Sequence, residues 1–183
     1  SNPITPMVGA PGVGFEQTYQ ALVGSLVGNI PNVQGILGNI PNVTAIPHFT
    51  TVPYNPIPLD AASAGALNQA YAAYNGGLQL AVQNSLITAE EAEERTIVFA
   101  AGEGHTMVLI DEDLTDLSAL GLPNFRQSTE NDLFVLPLSS LIPQGYGTQI
   151  QLEDRWVLTP EEQAEIAEAT NQFNQVISAA ADA

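Results

Sequence analysis

The sequence has 183 residues, 45 % of them hydrophobic and 13 % charged, which is one globular domain's worth of material and too apolar for a disordered chain. Its net charge of −17 sets 20 acidic residues against Arg95, Arg126 and Arg155, with no lysine, and this excludes a nucleic-acid binder and a polybasic membrane patch. The absence of cysteine removes disulfide scaffolds, zinc–thiolate sites and thiol catalysis together.

Residues 1–13 carry Pro3, Pro6 and Pro11 among Gly9 and Gly12, a composition that reads as an extended entry segment. No basic n-region stands ahead of an apolar stretch and no run of about 18 apolar residues occurs, so no signal peptide or membrane span is visible. For an exported protein, the targeting segment is expected outside this chain. Phe15, Tyr19, Leu22, Val23 and Leu26 fall at helical spacing and predict an amphipathic helix ending at Gly28-Asn29. The hexapeptide Gly28-Asn29-Ile30-Pro31-Asn32-Val33 recurs as Gly38-Asn39-Ile40-Pro41-Asn42-Val43, two copies being too few for a solenoid. Between them, the bare apolar run at residues 34–40 predicts a short buried strand of a parallel sheet.

Residues 41–59 hold Pro41, Pro47, Pro53, Pro56 and Pro58 and predict a long irregular excursion. Its His48, Phe49, Tyr54 and Asn55 are candidate substrate contacts, because ligands of open α/β sheets bind in loops beyond the carboxyl ends of strands. Asp60 caps a predicted long helix with Leu67, Tyr71, Tyr74, Leu78 and Val82 on one stripe and Gly76-Gly77 as a weak point. Thr88-Ala89-Glu90-Glu91 is a capping box opening a short helix that Arg95 ends. The apolar runs 96–100 and 106–110 predict strands, paired as a hairpin through Gly102–His105 or joined by a turn, with Asp111 at a strand's end. Residues 133–142 read as strand bent at Pro137, and Gly145-Tyr146-Gly147 as a turn. Thr159-Pro160-Glu161-Glu162 opens the clearest helix, running to about residue 180 with Ile166, Thr170, Phe173 and Ile177 inward. Helices and strands thus alternate through most of the chain, as in α/β folds, and residues 111–158 read as a strand-containing insertion in a single domain spanning 1–183.

Two constellations could carry chemistry. Asp111, Asp113 and Asp116 offer closely spaced hard oxygen ligands for calcium, although the loop lacks the glycine and glutamate of the calcium-loop template; a solvated capping turn is the competing reading. His48 and His105 are the only imidazoles, and no Gly-x-Ser-x-Gly elbow accompanies them, so a complete serine triad is not expected within these residues. Trp156, after Asp154-Arg155, reads as a packing anchor with Arg155 beside its ring.

Three stretches together resemble one family: residues 38–56 around Ile46-Pro47-His48-Phe49-Thr50-Thr51-Val52-Pro53-Tyr54-Asn55-Pro56, residues 111–123 around Asp111-Glu112-Asp113-Leu114-Thr115-Asp116-Leu117, and Asp154-Arg155-Trp156-Val157-Leu158-Thr159-Pro160-Glu161-Glu162. They are similar to SGNH/GDSL-type hydrolase-like lipoproteins of the Bacteroidetes. That resemblance implies a flavodoxin-like three-layer α/β/α fold, an extracellular or outer-membrane location through a lipidated N-terminus, and ester hydrolysis by a serine nucleophile on a lipid or acylated carbohydrate. The family's Gly-Asp-Ser-Leu-like, Gly-x-Asn-Asp and Asp-x-x-His-Pro blocks do not occur here, so no catalytic residue carries over. The chain then corresponds to the middle of such a secreted esterase or lipase, with loop 41–59 lining the cleft and 111–158 shaping its far wall. The rival expectation is a non-catalytic cell-surface structural or binding protein, a homo-oligomer or one completed by another chain segment.

Overall fold

The computed structural model describes residues 5–182; the first four residues of the expected entry segment, Pro3 among them, lie outside the described residues. The chain mixes helix with small antiparallel sheets and divides into two compact units, Ser1–Ala45 with Glu161–Ala183, and Ile46–Pro160.

In the first unit, helix α1 (Phe15–Asn29) forms where the periodicity places it. Its first N–H groups find partners in the entry segment, Phe15 donating to the Pro6 carbonyl and Glu16 to that of Met7. Gly14 permits this fold-back, since a Cβ there would lie 2.4 Å from the Gly9 nitrogen. The helix α5 that ends the chain (Pro160–Ala181) packs Phe173 on Phe15 with ring centroids 4.4 Å apart. Its Asn174 grips one peptide unit of the second hexapeptide: Nδ2 donates to the Ile40 carbonyl and Oδ1 accepts from the Ile40 N–H. The expected strand at 34–40 is not formed. Among the described residues, this segment joins no ladder and no group is hydrogen-bonded to the backbone of residues 34–39.

The second unit is built on helix α3 (Ala61–Gln83), with the four-residue α2 (Pro47–Thr50) before it and α4 (Ala89–Arg95) after it. Asp60 accepts from the Ser63 N–H and Thr88 from the Glu91 N–H, so both caps form as the sequence reads. α3 continues unbroken through Gly76-Gly77; a Cβ on Gly77 would lie 2.5 Å from Leu122 Cδ2, so the glycine admits a close neighbour.

The strands differ most from expectation. Among the described residues no ladder is longer than two strands: β1 (Ile57–Leu59) with β2 (Gly102–His105), β3 (Val108–Ile110) with β4 (Phe125–Gln127), and β5 (Leu133–Phe134) with β6 (Val157–Leu158), all antiparallel. The predicted turn Gly102–His105 is thus itself a strand. Segment 96–100 is extended but pairs with side chains instead of a strand: Asn75 grips the Ile97 peptide and Asn68 the Phe99 peptide, each donating through Nδ2 and accepting through Oδ1. Gln127 Oε1 takes the Val98 N–H between them. Residues 136–144 form two 3-10 turns in place of the expected strand, with Pro137 and Pro143 in their first turns, where a missing N–H costs nothing.

Strand alternation at β3 divides the core. Val108 joins Leu67, Tyr71, Tyr74, Leu78, Ile97 and Phe99, whereas Met107 and Leu109 join Val52, Ile57, Phe134, Leu138, Leu152 and Val157.

Candidate functional site

The stripe on α3 does two things at once. Leu67, Tyr71, Tyr74 and Leu78 recur at steps of four, three and four, so their side chains share the face turned to the core. Between that face and the chain segments at 121–125 and 148–151 lies a cleft of about 460 Å³, lined by Leu67, Tyr71, Tyr74, Leu122, Phe125 and Gln151 among others. Its size falls in the range of small-molecule pockets, and its lining is mostly carbon.

Both tyrosine hydroxyls in the cleft are fully engaged. Tyr71 donates to the Thr148 carbonyl at 2.6 Å and accepts from Gln151 Nε2 at 2.7 Å. Tyr74 donates to the Phe125 carbonyl at 2.6 Å and accepts from Arg95 Nε at 3.2 Å. Burial pushes both phenols above their ordinary value, partly offset by the Gln151 and Arg95 bonds. Arg95 has no exposed surface; beyond Tyr74 it donates to Glu91 and to the Thr115 and Pro123 carbonyls, tying the rim to α4. The cleft is therefore mostly apolar, with both of its tyrosine hydroxyls engaged by protein partners.

The residues singled out from the sequence lie elsewhere. His48 and Phe49 sit on α2, which packs against β5 and the turn at 136–140, with the two rings edge to face at 5.0 Å. Tyr54 is half-buried against the second core group, its carbonyl accepting from Ser128 Oγ. Asn55 Nδ2 lies 3.4 Å from where a Cβ on Gly104 would stand, which puts it beside β2. None of the four lines the cleft. Of residues 111–158, Gly121, Leu122, Pro123, Phe125, Thr148, Gln149 and Gln151 line the cleft, and loop 41–59 contributes none.

His105, opposite Ile57 in the β1–β2 pair, keeps Nε2 buried without a partner, and so does Trp156 Nε1. Trp156 otherwise behaves as a packing anchor, with Tyr146 edge-on at 6.2 Å and the Arg155 guanidinium 5.2 Å from its ring centre. Among the described residues, neither histidine is hydrogen-bonded to a serine, threonine or tyrosine hydroxyl. The buried hydroxyl of Ser128 is spent structurally, accepting from the Met107 N–H and donating to Tyr54.

Two carboxylates of the acidic turn are engaged within the protein. Asp111 is buried and bonded to Arg126 Nε, its other oxygen accepting from the Asp113 N–H, while Asp116 accepts from the Ser118 N–H. Among the described residues, no group of three or more histidines or carboxylates is placed to hold a metal. Asp111 instead belongs to a buried triad that the sequence did not disclose: Arg126 bridges it to Asp132, whose two oxygens accept from NH1 and NH2 at 2.8 Å each. Burial works against the charge on Arg126, but the bonds to Asp132 and Asp111 outweigh it and hold its pKa above the ordinary value.

No family model, curated protein or solved structure matches this chain.

Proposed function

We propose that this chain supplies the apolar, acyl-accepting wall of an SGNH/GDSL-type ester hydrolase of the cell surface, and that the reacting groups lie outside it. The observation that carries this reading is the cleft on α3: large enough for a hydrocarbon substituent, apolar in its lining, and without a free nucleophile or base at its edge. The resemblance supports it from a second direction, because the stretch 111–123 that resembles the family supplies Gly121, Leu122 and Pro123 to the cleft rim. In this reading a serine, a histidine and an oxyanion hole carried by polypeptide beyond these residues perform acyl transfer.

The 183-residue chain is expected to resist labelling by a fluorophosphonate and to leave p-nitrophenyl esters unhydrolysed, whereas the natural protein is expected to be heavier than 19.3 kDa and to react with both. Stoichiometric labelling of the 183-residue chain, or a natural protein of 19.3 kDa, contradicts the assignment.

A further inference from the structure

Three contacts follow one another along α3 at steps of three residues. Tyr71 donates to the Thr148 carbonyl, Tyr74 donates to the Phe125 carbonyl, and Gly77 faces Leu122, whose Cδ2, Cδ1 and Cγ lie 2.5, 3.0 and 3.3 Å from where a Cβ would stand. With a rise of about 1.5 Å per residue, each step advances about 4.5 Å along the helix, so the contacts set the order of the facing wall of the cleft. Thr148, Gln149 and Gln151 stand at its Tyr71 end, Phe125 at its middle and Leu122 at its Gly77 end.

The cleft therefore has a polar end and an apolar end. Gln151 is half-buried with its Nε2 on the Tyr71 hydroxyl, and Gln149 beside it is exposed. Between the ends, Tyr71 and Tyr74 offer ring carbon, because both hydroxyls are bonded across to the opposing segments. No residue of the lining carries a charge, which suits a neutral ligand with a hydrocarbon tail. Among the described residues, Tyr74 is the last of α3 in the lining, and Leu122 stands against the helix three residues further on, only 9 % exposed. Two glycines seat it there. Gly121, at φ +71°, turns the chain through the left-handed region just before Leu122, and Gly77 leaves the leucine methyls the space of a Cβ.

We propose that Leu122 closes the apolar end of the cleft and sets the length of the hydrocarbon chain that an ester places in it, with the ester group toward Gln149 and Gln151. The inference rests on the ester-hydrolase reading and adds the residue that selects the substrate. Each methylene removed from water strengthens binding until the terminal methyl meets Leu122; the next one has to displace that side chain or bend back into solvent.

Binding of methyl butanoate, hexanoate, octanoate and decanoate to the 183-residue chain, followed at the methyl resonances of Leu67, tests the proposal. Leu122→Ala is expected to move the tightest-bound ester to a longer chain and Leu122→Phe to a shorter one, each changing the affinity for the parent's preferred ester by about tenfold. Opposite shifts at one position separate selection from simple loss of stability, which weakens binding of every ester alike. Where circular dichroism shows Leu122→Ala unfolded, Leu122→Val takes its place, with a smaller shift in the same direction. Esters that bind with the same dependence on chain length in the parent and both variants overturn this proposal and leave the ester-hydrolase reading standing. A parent chain that binds no ester of the series overturns that reading, and this proposal with it.

Discussion

Two buried guanidiniums account for much of what single residues do in this molecule. Arg126 holds Asp111 and Asp132 in a buried triad, so Arg126→Met leaves two carboxylates without a counter-charge. Urea unfolding of that variant is expected to show a loss of about 3–5 kcal/mol, the range for breaking a buried ion pair from one side. Asp111→Asn with Asp132→Asn in the Arg126→Met background is expected to recover part of it, because the uncompensated charge is then gone. The tyrosines of the cleft set a pH dependence at the other end. Burial raises the folded pKa of Tyr71 and Tyr74 above their unfolded value, so the neutral phenols favour the fold. Their contribution is complete below about pH 10 and is lost as pH rises through the higher folded values. Urea stability measured between about pH 8 and pH 11 is expected to fall at the top of that window, and less steeply in Tyr71→Phe.

At the scale of elements, helix side chains do work that strands do in other folds. Asn68 and Asn75, seven residues apart on α3, hold alternate peptides of segment 96–100, and Asn174 on α5 holds Ile40 in the same bidentate way. Asn75→Ala removes two hydrogen bonds from the partly buried Ile97 peptide and is expected to cost about 1–3 kcal/mol in urea unfolding. Gly77→Ala is expected to cost a similar amount, about 1–3 kcal/mol by overpacking against Leu122, and to be relieved in a Leu122→Ala background when the double-mutant cycle is closed. These two features mark where reading by pattern stopped. Helix caps at Asp60 and Thr88 and the stripe on α3 were legible because their causes lie within a few residues. The strand expected at 34–40, the one at 96–100 and all but the first two residues of the one at 133–142 were not, because an apolar run does not say what bonds to the backbone. In this chain the bonding partners are amides 22 to 134 residues away in sequence, or proline-started 3-10 turns. The cleft escaped for a related reason: Tyr71 and Tyr74 were visible as core, but their saturated hydroxyls and the facing rim at Leu122 and Phe125 are long-range facts. Asp111 shows the converse, a carboxylate read for a cation and taken instead by Arg126, fifteen residues on.

At the scale of the molecule, two units carry different burdens. Ile46–Pro160 holds both core groups, the buried arginines and the cleft, while in the other unit α1 and α5 meet at Phe15 and Phe173. The central claim is that the cleft accepts a hydrocarbon group without reacting with it. Titrating the 183-residue chain with a neutral medium-chain ester, methyl octanoate, while following the methyl resonances of Leu67 and Leu122 tests it most directly. Saturable shifts at these methyls, abolished in an Ala70→Trp variant that fills the cleft and accompanied by no hydrolysis, are the predicted result. Methyl resonances that do not move on saturation with ester, or shifts that persist with the cleft filled, contradict the account.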